Sequence, residues 1–357
     1  MKQVKQLDFT GEKIFCGIDV HKNSWKVSIR SKDVEFKNFL QPPSVKILVN
    51  HLRTNFPSAS YYAAYEAGFC GFGFQREFIK HGVNCIVVHA ADIPTSDKER
   101  LQKNDTNDCR KISKCLSDGS LKGIYIPDLQ QQNDRHLVRN YKQFIKDRTA
   151  YKNRIKHWLM FQGIEVSASQ ADQKHWPKKF VNYLKTLKIK DVSARTSLDL
   201  LLKGLDNTNE QVLHASRALR TLIKEDHIRK NFELLRSVPG IGPLTAIQLQ
   251  TELGDINRFN TFDQFCSYLG IIPNMHLSDN KGYTGELTRR GHPMLKTALI
   301  ECSWRAIKDD PALTKAFLEY CKRMKKNKAI VKICRKLASR IRFVLKNQVP
   351  YQKYVVE

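Results

Sequence analysis

The chain has 357 residues and carries 61 lysines and arginines against 35 aspartates and glutamates, so its formal net charge is +26. Because the charge is spread along the whole length, it favours a polyanionic partner, and nucleic acid is the leading one. No apolar run approaches the roughly eighteen residues of a spanning helix, and the N-terminal sequence MKQVKQLDFTGEK lacks the apolar core of a secretory signal. The sequence therefore predicts a cytoplasmic protein without a membrane partner.

The first third of the chain predicts an α/β fold, because short apolar or alternating segments are separated by helical ones. A hairpin followed by alternating strands and helices is the layout of an RNase H-like fold, which we assign to residues 1–127. The pattern predicts strands at 15–19, 25–30, 61–66 and 84–89, and helices at 45–54, at 71–81 and from Asp105 onward.

Residues 128–228 predict a helical linker. Apolar residues from Leu137 to Trp158 follow steps of four and three, which is typical of a long helix with a coiled-coil stripe. A second helical stretch begins at Ser197 and is predicted to be interrupted at 204–209. Two interpretations stay open: an antiparallel hairpin within one subunit, or a coiled coil between subunits.

Residues 229–357 predict a mainly α domain that ends in a basic helix. The sequence PGIGP at 239–243 is typical of a helix-hairpin-helix turn, in which Gly240 and Gly242 let backbone amides approach a phosphate. An ordinary tight turn explains those five residues equally well. A polar segment follows, in which we expect a functional loop that contacts nucleic acid through Lys281, Arg289 and Arg290.

Four acids in the first third suggest a metal site in this basic chain: Asp19, Glu66, Asp105 and Asp108. Residues three apart on a helix share a face, so the last two can point at one site. Each acid alone has a simpler explanation, as a turn residue, a solvated strand end or a helix cap. Together, at strand ends and a helix start, they favour a site for Mg²⁺ or Mn²⁺ that acts on a phosphodiester. Nine singly spaced cysteines predict reduced thiols and no structural zinc.

The DEDD insertion-sequence transposases have three acidic blocks that this chain resembles in GIDVHKNSWKV, YEAG and KNDTNDCRKI. That family has a RuvC-like catalytic domain and includes the Piv-MooV invertases and the bridge-RNA-guided serine recombinases. Its C-terminal transposase domain resembles this chain at SVPGIGPLTA, LGIIPNMHLSDNKG, LTRRGHPMLK and KICRKLASRIRFVLK. The resemblance covers nearly the whole chain, in order.

The resemblance implies that Asp19, Glu66, Asp105 and Asp108 are the metal-binding acids. It also implies that the family's nucleophilic serine corresponds to Ser278. The family's loop has a second serine before this position and a glycine after it, whereas this chain has Leu277 and Asp279. A hydroxyl that caps the turn at 279–280 is the alternative role for Ser278.

The resemblance further implies metal-dependent strand cleavage and rejoining through a serine-linked DNA intermediate. The implied partners are element-end and target DNA, a structured noncoding guide RNA, and further copies of the chain in a homodimer or homotetramer. Because acids and serine lie in different domains, the implied site is composite, in a prokaryotic, nucleoid-associated protein. The alternatives are a RuvC-like nuclease or resolvase that activates water, and a noncatalytic nucleic-acid-binding protein.

Overall fold

The computed structural model describes residues 8–94, 105–165, 176–278, 281–288 and 290–353, and at 105–106, 275–278 and 281–284 it describes the backbone alone. The chain divides into two compact units, Met1–Ile126 and Pro127–Glu357. The finer division into 1–127, 128–228 and 229–357 stays a prediction.

A mixed five-stranded sheet forms the centre of the first unit, with strand order β3-β2-β1-β4-β5. The first three strands are antiparallel, and β4 and β5 continue the sheet in parallel with β1. This topology is consistent with the predicted RNase H-like domain. The strands are β1 (Lys13–Val20), β2 (Trp25–Arg30), β3 (Glu35–Gln41), β4 (Ser60–Glu66) and β5 (Asn84–Val88).

Helices cover both faces of this sheet. Helices α1 (Val45–Asn55) and α2 (Gly73–Lys80) lie over one face, where Ile14, Cys16 and Ile18 point into the larger core of the unit. Helix α3 (Asp105–Ser117) lies over the other face, where Ala64 and Val88 pack against Ile112. The alternation of side chains along each strand separates the two cores.

Helix α3 lies unusually close to β1 at Gly17. A Cβ atom on this glycine would lie 2.1 Å from the carbonyl oxygen of Cys109 and 2.3 Å from the amide nitrogen of Ser113. The buried hydroxyls of Ser28 and Ser113 are hydrogen-bonded at 3.0 Å on the same face. The missing side chain therefore allows α3 to contact the strand backbone directly.

A helical hairpin begins the second unit, made of α4 (Leu129–Phe161) and α6 (Val192–Leu222) with the short α5 (Lys178–Thr186) beside it. Ile155 and Leu159 pack against Leu198 and Leu202 within one chain. This is the hairpin interpretation; association between subunits through this region stays a prediction.

The predicted interruption of the second long helix at 204–209 is wrong, because α6 is continuous. Gly204 is used for packing: a Cβ there would lie 2.2 Å from Cε1 of Tyr151. The Thr208 hydroxyl donates to the carbonyl of Gly204 at 3.1 Å, so the polar side chain is satisfied inside the helix.

The rest of the second unit is one large helical core.

No helix among the described ranges is long and apolar enough to cross a membrane. The predicted polar loop was wrong in part, because it contains an antiparallel β-hairpin whose backbone pairing needs no apolar alternation. The elements are α7 (Asp226–Ser237), α8 (Pro243–Leu253), α9 (Phe262–Leu269), β6 (Pro273–Ser278), β7 (Lys281–Leu287), α10 (Pro293–Asp309), α11 (Pro311–Cys321) and α12 (Lys326–Asn347).

Replacing Gly17 with Ala should lower the free energy of unfolding of the first unit by about 2 kcal/mol, because α3 must move away from β1. Hydrogen–deuterium exchange of peptides from β1 and α3 measures this loss. Gly73→Ala on α2 is the matched control, since nothing lies within 4 Å of a Cβ there. Equal loss of protection in both variants would contradict the close contact.

Candidate functional site

Asp19 and Glu66 project from the same face of the sheet. Ile18 and Tyr65 are paired in register on neighbouring parallel strands, and both are buried in the core under α1 and α2. Because side chains alternate along a strand, the next residue on each strand points to the opposite face, on which α3 packs. Two acids that are distant in sequence therefore lie on adjacent strands and share the α3 face.

The first turns of α3 lie next to Asp19. Burial raises the pKa of the Cys109 thiol, and the nearby charge of Asp19 also raises it. Asp108 precedes this cysteine and is half-buried. The described position of Asp105 is the first residue of the helix, and its carboxylate is not described. Thus the face that carries Asp19 and Glu66 also receives the N-terminal end of α3.

The side chains that are described do not by themselves form a metal cage. Within those parts of the chain, no three His, Cys, Asp or Glu side chains lie close enough together to hold an ion. The four-acid cluster that includes Asp105 therefore stays a prediction. In donor chemistry and in their shared face, Asp19 and Glu66 fit a divalent cation, which prefers carboxylate oxygens.

Two residues beside Asp19 were not predicted from the sequence. His21 donates through Nε2 to the Asp19 carboxylate at 3.1 Å. Lys26 pairs with Asp19 across β1 and β2, so the two side chains leave the sheet on the same face. The signal was present in the short turn HKNS, which brings a histidine and the start of β2 back to the acid.

The predicted serine region lies on the β6–β7 hairpin. Ser278 and Lys281 form the last residue pair of this ladder, and their side chains are not described. Arg289 lies outside the described residues. Arg290 is exposed, and its backbone amide donates to the Thr288 hydroxyl at 3.1 Å. The nucleophilic role of Ser278 and the nucleic-acid contacts of the three cations stay predictions.

The glycine turn between α7 and α8 has a clear packing role. Gly240 has φ of +78°, and a Cβ on it would lie 2.4 Å from the carbonyl oxygen of Cys302 on α10. Gly242 precedes α8 and has no atom within 4 Å of a Cβ position. Packing therefore accounts for the first glycine, while the phosphate contact predicted for both stays a prediction.

A buried carboxylate joins three parts of the second unit. The side chain of Glu252 on α8 is fully buried and accepts hydrogen bonds from Arg139 at 2.7 and 2.9 Å and from His292 at 3.1 Å. Arg135 lies 3.2 Å from the same carboxylate. His292 also caps α10 and follows Arg290 closely. Glu252 thus holds α4 and the end of the predicted nucleic-acid segment against α8.

These partners determine the ionisation of Glu252. Burial alone would raise the pKa of its carboxyl, but the hydrogen bonds from His292 and Arg139 and their charges lower the pKa to about 2. The group therefore stays charged inside the protein at neutral pH. The contacts of Glu252 with Arg139 and His292 are costly to break, because removing one partner leaves a buried charge uncompensated.

Residues 232–319 match the family model described as Transposase IS116/IS110/IS902 family. This range contains the glycine turn, Glu252, the β6–β7 hairpin and His292. Over this range the chain is similar to the IS110/IS116/IS902 transposases. Transposases are enzymes that act on DNA, and it is to this class of protein that the second unit is similar.

Individual relatives extend the similarity toward the first unit. The transposase for insertion sequence element IS1111A of Coxiella burnetii is 26% identical over 64% of this chain and 60% of its own length. The transposase for IS1533 of Leptospira borgpetersenii is 21% identical over 82% of this chain and 85% of its own length. The transposase for insertion sequence element IS1328 of Yersinia enterocolitica is 24% identical over 57% of this chain and 59% of its own length. The chain thus spans less than two thirds of the length of the Coxiella relative.

Replacing Glu252 with Gln should lower the free energy of unfolding by about 3 kcal/mol at pH 7. A carboxyl whose pKa is depressed on folding stabilises the folded state above its ordinary pKa of 4.5, and the contribution is lost as the pH falls toward about 2. The difference between wild type and variant should therefore narrow below pH 4.5 in denaturant titrations.

The control for this prediction is Asp263→Asn, which removes an exposed partner of Arg335 at 3.1 Å. An exposed ion pair contributes little, so this variant should stay close to wild type at every pH. A Glu252→Gln variant with wild-type stability at pH 7 would contradict the role assigned to the buried carboxylate.

Proposed function

We propose that this chain is an insertion-sequence transposase that cleaves and rejoins DNA strands at the acidic face of its first unit. The observation that carries the proposal is the shared face of Asp19 and Glu66, beside the N-terminal end of α3. The match of the second unit to a transposase family supports it. A protein that only binds nucleic acid has no need of carboxylates that repel its own ligand.

In this proposal Asp19, Glu66, Asp105 and Asp108 hold Mg²⁺ or Mn²⁺. When bound, such an ion neutralises charge on the scissile phosphate and polarises it for attack. We propose that the first two acids approach the ion from strand ends and the last two from the start of α3. Lys26 and His21 lie beside Asp19 and restrict where its carboxylate can point. His21 orients the acid, and the cationic Lys26 offsets the repulsion among neighbouring carboxylates.

Ser278 acts as the nucleophile in the proposed reaction. Its Oγ attacks the scissile phosphorus, an O–P bond forms, and the P–O bond to the leaving strand end breaks. The leaving oxygen takes up one proton, which balances the proton lost by the serine hydroxyl. Because the phosphoserine ester keeps the energy of the broken bond, a second strand end can attack it and be rejoined.

In this proposal a partner molecule, and not the protein, selects the DNA sequence. We propose that a structured noncoding RNA chooses element-end and target DNA, so that the protein contacts mainly backbone and shape. The net charge of +26 suits the binding of both polyanions. We also propose a homodimer or homotetramer, in which acids and serine from different subunits meet.

The test uses element-end DNA, candidate RNA and Mg²⁺ with the full chain, followed by denaturing gels that show cleaved and protein-linked DNA. Wild type should give both species. Asp19→Asn and Ser278→Ala should each lower both by roughly a thousandfold, because each removes stabilisation or attack in the transition state. Asp33→Asn, an exposed acid in the same unit, is the matched control and should retain both.

The other two functions give different gels. A nuclease or resolvase that activates water would cut DNA with Ser278→Ala at near the wild-type rate and would form no adduct. A noncatalytic binding protein would form neither species in any variant, although it would still bind the DNA. Either pattern would contradict the proposed reaction.

A further inference from the structure

The C-terminal helix α12 uses its two kinds of cation differently. Its three arginines turn toward the protein: Arg335 contacts Asp263 and Arg340 contacts Asp310, each at 3.1 Å. Arg342 donates to the carbonyl oxygens of residues 259 and 260, each at 3.2 Å. The three arginines are therefore occupied by contacts within the second unit.

The lysines of α12 are exposed to solvent instead. A solvent-facing row at steps of three and four residues, which we call the lysine face, extends about 27 Å along the helix. Among the ion pairs found in the described parts of the chain, none includes a lysine of this row. The lysine face consists of Lys328, Lys332, Lys336, Ser339, Phe343 and Lys346.

The helix carries this charge at a cost to itself. Lys328, Lys332 and Lys336 are neighbours at four-residue spacing, and like charges so placed repel each other. Lys326 and Lys328 lie in the first turn, where the helix dipole disfavours cations, and no acidic residue lies there. From Lys326 to Asn347 the sequence has no aspartate or glutamate at all. A bound polyanion would relieve all of these repulsions.

One aromatic ring interrupts the charged row. Phe343 is 58% exposed and lies between Ser339 and Lys346 on the lysine face. A single ring is too small an apolar surface to insert a helix into a membrane. It is, however, the size of surface on which one unpaired base stacks. Lysines that neutralise phosphates next to a stacking ring are the usual means of holding a single strand without reading its sequence.

We propose that the lysine face binds single-stranded DNA, with its lysines on the phosphates and Phe343 stacked on a base. The choice of DNA rests on the proposed function, because strand cleavage releases unpaired DNA near the protein. The binding itself needs neither a metal ion nor Ser278. It can therefore be measured in EDTA, where failure of the reaction has no influence on the result.

The experiment measures binding of the full chain to oligo(dT) of about 16 nucleotides, to a duplex of equal length and to oligo(rU), over a range of salt concentration. The variant Lys328→Gln, Lys332→Gln, Lys336→Gln should bind oligo(dT) about tenfold more weakly at low salt. Its slope of log affinity against log salt should fall by about 2, since each lost phosphate contact removes about 0.7. Glutamine has a helix propensity close to that of lysine, so circular dichroism should be unchanged.

The matched control removes three exposed lysines elsewhere in the second unit: Lys146→Gln, Lys203→Gln, Lys224→Gln. It changes the net charge equally and should bind oligo(dT) within twofold of wild type. Phe343→Ala should weaken oligo(dT) binding about tenfold and leave duplex binding unchanged, because paired bases offer no free face.

Three results would overturn the proposal. Equal weakening by the two triple variants would mean that only overall charge matters. If Phe343→Ala weakened the binding of oligo(dT) and of the duplex equally, Phe343 would not stack on a base. A larger loss for oligo(rU) than for oligo(dT) would assign the face to RNA. None of these results bears on whether the protein forms a covalent adduct with DNA. Conversely, absence of that adduct would not change the binding of oligo(dT).

Discussion

The contact between Gly17 and the middle of α3 is the constraint on which the acidic face depends. Because the glycine has no side chain, the backbone of α3 meets the backbone of β1 at Cys109 and Ser113. The start of that helix is thereby held beside Asp19, two residues farther along the strand. A larger residue would push the helix outward and move its acids away from those of the sheet. A packing requirement at one small residue thus sets the geometry of the proposed chemistry.

The second unit depends on a buried charge instead. Glu252 joins two arginines of α4 to His292, and so determines where the chain enters α10 after the β6–β7 hairpin. Apolar packing fills the core around it, but packing is non-directional and tolerates sliding. A fully buried carboxylate that needs its partners tolerates much less displacement. This difference explains how a mainly helical unit holds His292, at the end of the polar segment, in a defined place.

Most strands of the first unit could be predicted from the sequence. Strands β1, β2, β4 and β5 bury one or both faces, and the spacing of their apolar residues shows this burial. Strand β3 was missed, since it is an edge strand whose side chains are mostly exposed. The acids were proposed from residue type and position, but the common face of Asp19 and Glu66 required the parallel register of β1 and β4. Sequence alone gives no such register.

In the second unit, contacts between distant residues could not be predicted from the sequence. The break predicted in α6 failed because Tyr151 fills the space beside Gly204, a contact between two helices that local propensity ignores. Glu252 lies in the mainly apolar helix α8, and its partners Arg139 and His292 are 113 and 40 residues away. No local pattern marks such a group, because its cause is tertiary.

The central claim is that the acids of the first unit form one metal site. Titration of the full chain with Mn²⁺, followed by electron paramagnetic resonance, counts the ions that bind. We predict that Asp19→Asn and Glu66→Gln each remove the same tightly bound ions, while Asp33→Asn keeps them. Unchanged Mn²⁺ binding in both site variants, or loss of different ions in each, would contradict it.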